Sequence, residues 1–333
     1  MVAKYYDELG NNIVQCHLCP HECIIHEGKS GICMVRSNIG GTLVAETYGS
    51  LTAANFDPIE KKPLFHFHPG MEIFSLGSVG CNFKCSCCQN YHISQTGISG
   101  FPRLVKKTLP EIISAAKENP YNIGIAYTYN EPSVWYEYMF DIAVEAQQAD
   151  LKNVMVSNGF LNPKPLRDLI GYFDAFNIDL KAFDEKIYKK FTSGNLSNVL
   201  DTLGFIVKQG KHLEVTFLAI PGLNDDMTQF ENMVGWINYY LGDNIPLHLS
   251  RYFPQYKMTA EATPETLLQE MALIAGKKLK YVYIGNVPID DFQNTMCPQC
   301  GHLVIGRRGY FVHTRHLNQK GNCIFCDFEI AKV

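Results

Sequence analysis

Twelve cysteines occur in this chain of 333 residues, and they fall into three groups of four. The groups are Cys16, Cys19, Cys23 and Cys33; Cys81, Cys85, Cys87 and Cys88; and Cys297, Cys300, Cys323 and Cys326. Cysteines that only fill a core would be scattered along the chain, so this clustering predicts metal or redox sites. Three metal centres are the simplest interpretation.

The start of the chain predicts a cytoplasmic protein. It contains Lys4, Asp7 and Glu8 and has no apolar signal core. Disulfides are disfavoured in that reducing compartment, which supports metal binding by the cysteines. No segment is apolar enough to predict a membrane span. The net charge of −4 argues against general binding of nucleic acid, which requires a basic excess.

Short apolar strands alternate with helical patterns between the first and last cysteine groups. The predicted strands are residues 72–76, 123–129, 153–157, 175–180, 213–219, 246–251 and 280–284. Strands separated by helices indicate an α/β fold with a parallel sheet, either open or closed into a barrel. We divide the chain into a cysteine-rich N-terminal unit, an α/β domain and a cysteine-rich C-terminal unit at residues 1–57, 58–290 and 291–333.

Capping residues predict two helix starts. Thr108 and Glu111 have the spacing of a capping box, in which each side chain bonds the other residue's backbone N–H. Thr263 is followed by Pro264, which is typical of an N-cap before the first helical residue. We therefore expect helices to begin directly after Thr108 and Thr263.

The middle cysteine group follows directly on the first predicted strand. Cys81, Cys85 and Cys88 have the spacing C-x3-C-x2-C. Three thiolates from one loop can hold a [4Fe–4S] cluster and leave its fourth iron open to a substrate. The alternative is a zinc site of the Cys3His type, completed by His92.

This motif on the loop after a first barrel strand resembles the signature of radical S-adenosylmethionine (SAM) enzymes. Nearly the whole chain is similar to one subgroup, the radical SAM enzymes of the AmmeMemoRadiSam system, which look like pyruvate formate-lyase activating enzymes. The similar stretches include residues 16–20, 57–64 and 297–301. The resemblance implies a partial (β/α)6 barrel of the TIM type, whose site lies at the carboxyl ends of the strands.

The resemblance also implies which residues contact SAM. They are Asn130 and Glu131, where the family has Gly-Gly-Glu-Pro; Ser157 and Asn158; Asp179 and Lys181; Thr216; and His248 and Arg251. Glu131 is expected at the methionine amino group. Lys181 is expected beside the methionine carboxylate, which needs a cation in a partly dry site. Glu214 alternates with Thr216 along one strand, so both side chains are predicted to point into the barrel.

The implied chemistry is reductive cleavage of SAM. An electron from the reduced cluster breaks the C5′–S bond, and the resulting 5′-deoxyadenosyl radical abstracts hydrogen from a substrate that the sequence does not identify. That substrate is either a glycine of a partner enzyme, as for an activase, or a small molecule, a peptide or an RNA. The expected partners are an electron donor of the flavodoxin or ferredoxin type and proteins of the Memo class.

The two outer cysteine groups predict separate metal sites. In the C-terminal group two C-x2-C pairs, containing Cys297 and Cys323 as first members, are typical of a zinc ribbon with a closed structural site. An iron–sulfur cluster or a rubredoxin-like iron is the alternative. The N-terminal group has the spacing C-x2-C-x3-C-x9-C and fits zinc or a second [4Fe–4S] cluster equally well. We favour zinc there, because so small a unit cannot fill a core alone.

The remaining predictions concern four single residues and an alternative function. Cys87 is expected to be an apolar neighbour of the adenosine, although a C-x3-C-x-C set ending at Cys87 is possible. His66 is expected either at the site or in solvent, and the pair Arg307 and Arg308 in solvent. The rival function is a zinc-dependent interaction or nucleic-acid-binding scaffold with three structural metal sites.

Overall fold

The structure is a computed structural model that describes residues 1–287 and 292–333. Its strands are β1 Tyr6–Gly10, β2 Ile13–Cys16, β3 Ile24–Ile25, β4 Arg36–Ile39, β5 Thr42–Ala45, β6 Ser50–Leu51, β7 Ala53–Pro58, β8 Glu72–Gly77, β9 Val105–Lys106, β10 Asn122–Tyr127, β11 Lys152–Ser157, β12 Ala175–Asp179, β13 His212–Ala219, β14 Leu247–Arg251, β15 Val282–Gly285, β16 Thr295–Met296, β17 Leu303–Arg308 and β18 Phe311–His313. Its α-helices are α1 Tyr91–Ser94, α2 Leu109–Ala116, α3 Tyr136–Gln148, α4 Pro163–Ile170, α5 Glu185–Thr192, α6 Leu196–Lys208, α7 Met227–Trp236 and α8 Glu265–Ala275.

A large sheet contains all seven predicted strands. Its order is β15-β14-β13-β12-β11-β10-β8-β7, and all the strands of this sheet except the edge strand β7 are parallel to one another. The prediction of a parallel sheet is therefore confirmed, with strand ends that differ from the predicted ones by at most two residues. Helices connect successive parallel strands, as expected for βαβ units.

The sheet and its helices share one apolar core. In α6, Leu196, Val199, Leu203 and Ile206 recur at helical spacing, and all four are buried. The central strands are buried along most of their length, as expected for parallel strands with helices packed against the sheet. This packing holds the carboxyl ends of the parallel strands side by side at one edge of the sheet.

The helix-start predictions had different outcomes. The capping box is confirmed, because the Glu111 carboxylate accepts from the Thr108 N–H at 2.7 Å and the Thr108 hydroxyl accepts from the Glu111 N–H at 3.5 Å. The N-cap prediction for Thr263 is wrong, since Pro264 occupies that position. The Thr263 hydroxyl instead donates to the carbonyl of Ala219 at 2.6 Å, which leaves it no role at the helix start.

The N-terminal unit is joined to the α/β domain by a strand and an ion pair. β1, β2 and β3 form one small sheet and β4 pairs with β5, but β7 pairs antiparallel with β8 at the edge of the large sheet. The predicted boundary after residue 57 therefore falls inside β7. A buried ion pair of 2.9 Å between Arg36 and Glu137 of α3 connects the two parts.

The C-terminal unit packs on the α/β domain through buried polar contacts. β16, β17 and β18 form a small antiparallel sheet. Arg307, which we expected in solvent, is buried and donates to the Phe65 carbonyl at 2.6 Å. His66 is buried between the carbonyl of Ile330 and the hydroxyl of Tyr283, both at 2.6 Å. The predicted boundary between residues 290 and 291 lies outside the described residues.

None of the helices in the described ranges has the length and apolarity needed to cross a membrane.

Candidate active site

The loop that follows β8 carries the three cysteines of the C-x3-C-x2-C motif. The Cys81 sulfur accepts the backbone N–H of Phe83 at 3.3 Å, and the Cys88 sulfur lies 3.1 Å from the Ser94 hydroxyl. Burial raises the pKa of the Cys85 thiol to about 12, although the nearby Lys181 ammonium acts in the opposite direction. A bound metal would stabilise these thiolates, because metal binding requires deprotonated cysteines.

Asn130 fixes the start of this loop. Its side-chain oxygen accepts the N–H of Ser78 at 3.1 Å, and its side-chain NH₂ donates to the carbonyl of Gly80 at 2.8 Å. Asn130 therefore acts on the loop that holds the cysteines, from the end of the neighbouring strand β10.

Glu131 connects the loops after β10 and β11. Its buried carboxylate accepts the Ser157 hydroxyl at 2.8 Å, the Asn158 N–H at 2.8 Å and the Ser133 N–H at 3.0 Å. Burial raises the pKa of Glu131, and these donors oppose that rise. Three donors on one carboxylate hold this part of the site in a single arrangement.

Asn158 extends this network to the cysteine loop. Its side-chain NH₂ donates to the side-chain oxygen of Asn82 at 2.8 Å and lies 3.9 Å from the Cys81 sulfur. The structure therefore brings Glu131, Ser157 and Asn158 together beside the first cysteine of the motif.

Asp179 and Lys181 approach the same loop from the end of β12. The Lys181 ammonium lies 2.6 Å from the Asp179 carboxylate. Burial would lower the pKa of Lys181, but Asp179 and the thiol of Cys85 raise it, so the lysine stays protonated. Lys181 is the cation that the sequence predicts beside the methionine carboxylate of SAM. In this structure its partner is the carboxylate of Asp179.

The surroundings of Cys87 differ from those of the other three cysteines in this loop. It is buried in a small apolar cluster with Phe191, Ile220 and Tyr252, the last two from the loops after β13 and β14. This environment suits a neutral thiol, whose pKa burial raises to about 11.

Thr216 and His248 lie in register with Asp179 across β12, β13 and β14. The Thr216 hydroxyl donates to Asn177 at 2.9 Å, and His248 Nε2 lies 2.6 Å from the Glu214 carboxylate. The same carboxylate accepts the backbone N–H groups of Phe65 and His66 at 2.9 and 2.7 Å and contacts His212 at 2.9 Å. Glu214 and His248 therefore form a buried network that fastens the chain after β7 to the sheet.

Arg251 is held at the end of β14. It donates to the carbonyl of Thr263 at 2.9 Å and pairs with Glu265 of α8 at 2.7 Å. The structure joins Arg251 to the start of α8, whereas its predicted companion His248 contacts Glu214.

The four C-terminal cysteines form a compact set. Cys297 and Cys326 have sulfurs 3.4 Å apart, and those of Cys300 and Cys323 are 3.7 Å apart. A tetrahedral ion with sulfur ligands at about 2.3 Å requires sulfurs about 3.8 Å apart. Burial would raise the pKa of Cys297, but N–H donors from Cys300 and Gln299 lower it to about 7, which favours the thiolate. These four residues fit one metal ion.

The N-terminal cysteines surround a cavity instead. Cys16, Cys19, Cys23 and Cys33 all line it, together with Asn82 from the middle cysteine loop. In the parts of the chain that the structure describes, the compact ligand set is the C-terminal one, with its ligand atoms all within 4.8 Å of one another.

Comparisons with known proteins identify the family. The model of the radical SAM superfamily matches residues 76–234, which span the cysteine loop and the strand ends around it. An uncharacterized protein of Methanocaldococcus jannaschii is 42% identical over 337 residues, and the match covers 99% of both chains. The chain belongs to the radical SAM superfamily. Membership implies SAM and a [4Fe–4S] cluster as cofactors.

Other similar proteins are more distant. The (2S)-3-sulfopropanediol dehydratase activating enzyme of Klebsiella oxytoca is 23% identical, over 37% of this chain and 38% of its own. A radical SAM methyltransferase from Sphaerobacter thermophilus has a TM-score of 0.51 at 12% identity, with 66% of this chain and 67% of that chain covered. At this identity the likeness to the methyltransferase shows a shared fold.

Two residues of the candidate site, Asn82 and Ser94, are not among those predicted from the sequence. Asn82 contacts Asn158 and donates to the carbonyl of Phe160 at 2.9 Å, so it connects the cysteine loop to the loop after β11. Ser94 contacts Cys88 from α1. The position of a polar residue directly after the first cysteine is the sequence signal that could have identified Asn82.

Proposed function

We propose that Cys81, Cys85 and Cys88 bind a [4Fe–4S] cluster whose open iron binds SAM, and that the chain generates a 5′-deoxyadenosyl radical. The observation that carries the proposal is the meeting of Glu131 and Lys181, from the ends of two different strands, around the loop that holds these cysteines. That arrangement supplies a carboxylate and an ammonium beside a site for metal.

The chain's own residues fit this cluster. The motif offers three thiols from one loop, and the fourth cysteine there, Cys87, is engaged in an apolar cluster. His92, which would complete a Cys3His zinc site, is exposed on α1. A set of three sulfurs suits a cluster with one open iron better than a closed zinc site.

Two charged residues would orient SAM. Lys181 would exchange its contact with Asp179 for the methionine carboxylate, and Glu131 would accept the methionine amino group through the carboxylate that now holds Asn158. When bound, the reduced cluster supplies the electron that breaks the C5′–S bond of SAM. Arg251, Thr216 and His248 would act indirectly, by holding β13, β14 and α8 in place.

We infer that the parallel strands form the partial (β/α)6 barrel of TIM type, with β8 and β10 to β14 as its six strands. The cavity of such a barrel would open at the strand ends that carry the cysteine loop. We also infer that the C-terminal unit, residues 291–333, is a zinc ribbon, which the sulfur spacing of 3.4 and 3.7 Å supports.

The substrate is proposed by class. The chain would act either as an activase that removes hydrogen from a glycine of a partner enzyme, or as a tailoring enzyme for a small molecule, a peptide or an RNA. The relative named as an activating enzyme supports the first class. The AmmeMemoRadiSam resemblance supports Memo-class partners, and the electron would come from a cytoplasmic flavodoxin or ferredoxin.

The proposal is tested with anaerobically reconstituted full-length protein, a chemical reductant and SAM. Wild-type protein should release 5′-deoxyadenosine and methionine in equal amounts, slowly, without added substrate. The variant Cys85→Ser should release neither, and Cys87→Ser serves as the matched control. A wild-type protein with full iron content that forms no 5′-deoxyadenosine contradicts the proposal.

A further inference from the structure

The two outer groups of cysteines have the same number of ligands but different geometries. The four C-terminal sulfurs all lie within 4.8 Å of one another, as around one tetrahedral ion. The four N-terminal cysteines line a cavity of ≈ 20 Å³, which exceeds the roughly 10–15 Å³ that one water molecule needs. The C-terminal cysteines thus form a compact set, whereas the N-terminal cysteines are arranged around a cavity, and we call the latter the expanded site.

The expanded site is built by secondary structure on all sides. Cys16 ends β2, and its N–H donates to the carbonyl of Cys23 at 2.9 Å, which closes the loop that carries Cys19. Cys33 precedes β4, whose Arg36 is fixed by the buried pair with Glu137. These contacts fix the backbone of the segments that carry the N-terminal cysteines.

This site shares a wall with the radical SAM loop. A Cβ atom at Gly80 would lie 2.7 Å from the Cys33 carbonyl, so only glycine permits the close approach of the two chain segments. His21 Nε2 lies 2.7 Å from the carbonyl of Asn82. The Lys84 ammonium interacts electrostatically with the thiols of both Cys33 and Cys81.

We propose that Cys16, Cys19, Cys23 and Cys33 bind a second [4Fe–4S] cluster rather than zinc. A cluster places iron and sulfide between its cysteines and therefore holds their sulfurs farther apart than a single ion does. The four N-terminal cysteines enclose a cavity, and among the described residues it is the C-terminal set, not this one, whose ligand atoms all lie within 4.8 Å of one another. Zinc is expected in a small unit that cannot fill a core alone, but the contacts of Arg36 and Gly80 show that the α/β domain supports this unit.

The ligand count has a chemical consequence. All four irons of this cluster would have cysteine ligands, so none would be open to SAM. The N-terminal cluster should therefore be insensitive to SAM, whereas the cluster on Cys81, Cys85 and Cys88 should respond to it. This difference separates the two clusters by spectroscopy without any assay of activity.

The experiment removes the radical SAM ligands from full-length protein by changing Cys81, Cys85 and Cys88 to alanine. After anaerobic reconstitution this variant should keep about four irons and four sulfides per chain. Its reduced form should give an electron paramagnetic resonance signal that SAM does not change. Reconstituted variant without iron, with or without extra zinc, overturns the proposal.

If the triple variant does not fold, a second measurement on wild-type protein still tests the proposal. Wild-type protein should contain about eight irons per chain, and SAM should alter only one of its two reduced signals. About four irons, all responding to SAM, overturns the second cluster and leaves the proposed function intact. Two clusters in a protein that does not cleave SAM would contradict the proposed function alone. The variant Cys19→Ser in wild-type background should lose the SAM-insensitive signal, and Cys87→Ser should keep both.

Discussion

The Glu131 carboxylate accepts the backbone N–H of Asn158 at 2.8 Å, so one side chain after β10 fixes the loop after β11. Asn158 in turn contacts Asn82 and lies beside Cys81. A strand end is thereby coupled to the cysteine loop through two hydrogen bonds. The site depends on this coupling for its shape, independently of any bound group.

The variant Glu131→Gln should lower the free energy of unfolding by about 1–3 kcal/mol, because an amide NH₂ would face the N–H and O–H donors that now reach the carboxylate. Urea unfolding measures the change. Glu145→Gln, on the exposed face of α3, is the matched control and should have little effect. Equal stabilities of the two variants would show that the Glu131 contacts contribute nothing.

The variant Lys181→Met should weaken SAM binding by roughly 1.5–3 kcal/mol, about tenfold or more, because a charge-assisted contact is lost. Its iron content should stay at the wild-type level. Titration of the reconstituted protein with SAM measures the affinity, and Lys208→Met at the exposed end of α6 is the control. Unchanged affinity in Lys181→Met would remove this lysine from the binding site.

The fold was predictable where the signal is local. Apolar runs bounded by turns identify each parallel strand, since a strand buried on both faces has no polar side. Thr108 caps its helix because both partners lie within four residues. Thr263 has the same local signature, but its hydroxyl bonds the carbonyl of Ala219, which is distant in sequence.

In the candidate site, too, only the local features could be predicted from the sequence. The position of Cys81 after the first strand follows from adjacency in the sequence. The contacts of Glu214 with His248 and of Arg307 with Phe65 depend on how strands and units pack together, and no short window of sequence contains them. The sequence does not identify the partners of the Glu214 carboxylate, and the structure shows that protein donors satisfy it.

The two adjacent cysteines in the motif should behave differently. Cys88→Ser should lose the SAM-responsive cluster and all cleavage of SAM, since serine is a poor iron ligand. Cys87→Ser should keep both, because this side chain packs on Ile220 and Tyr252. Iron content and 5′-deoxyadenosine release distinguish the variants. The reverse pattern would make Cys87 the third ligand.

Glu214 makes stability depend on pH. Burial would raise its pKa, but hydrogen bonds from His212 and His248 lower it well below the ordinary value of 4.5. A lowered carboxyl pKa stabilises the fold above that ordinary value, and the contribution is lost as the pH falls through the folded value. Wild-type stability should therefore decrease as the pH drops below about 4.5.

Glu214→Gln tests this directly. The variant should be less stable than wild type by about 3–5 kcal/mol at neutral pH, because a buried network loses its charge. Its stability should also change less between neutral and acidic pH. Glu231→Gln, on the exposed face of α7, should keep the wild-type profile. Parallel pH profiles for wild type and Glu214→Gln would contradict the assignment.

The most direct test of the central claim measures whether SAM binds iron on the Cys81 loop. Reduced wild-type protein is mixed with SAM that carries ¹⁵N in its amino group or ¹⁷O in its carboxylate, and electron–nuclear double resonance is recorded. The account predicts hyperfine coupling from both labels, present in Cys87→Ser and absent in Cys88→Ser. A fully reconstituted and reduced wild-type protein that shows no coupling to either label would contradict it.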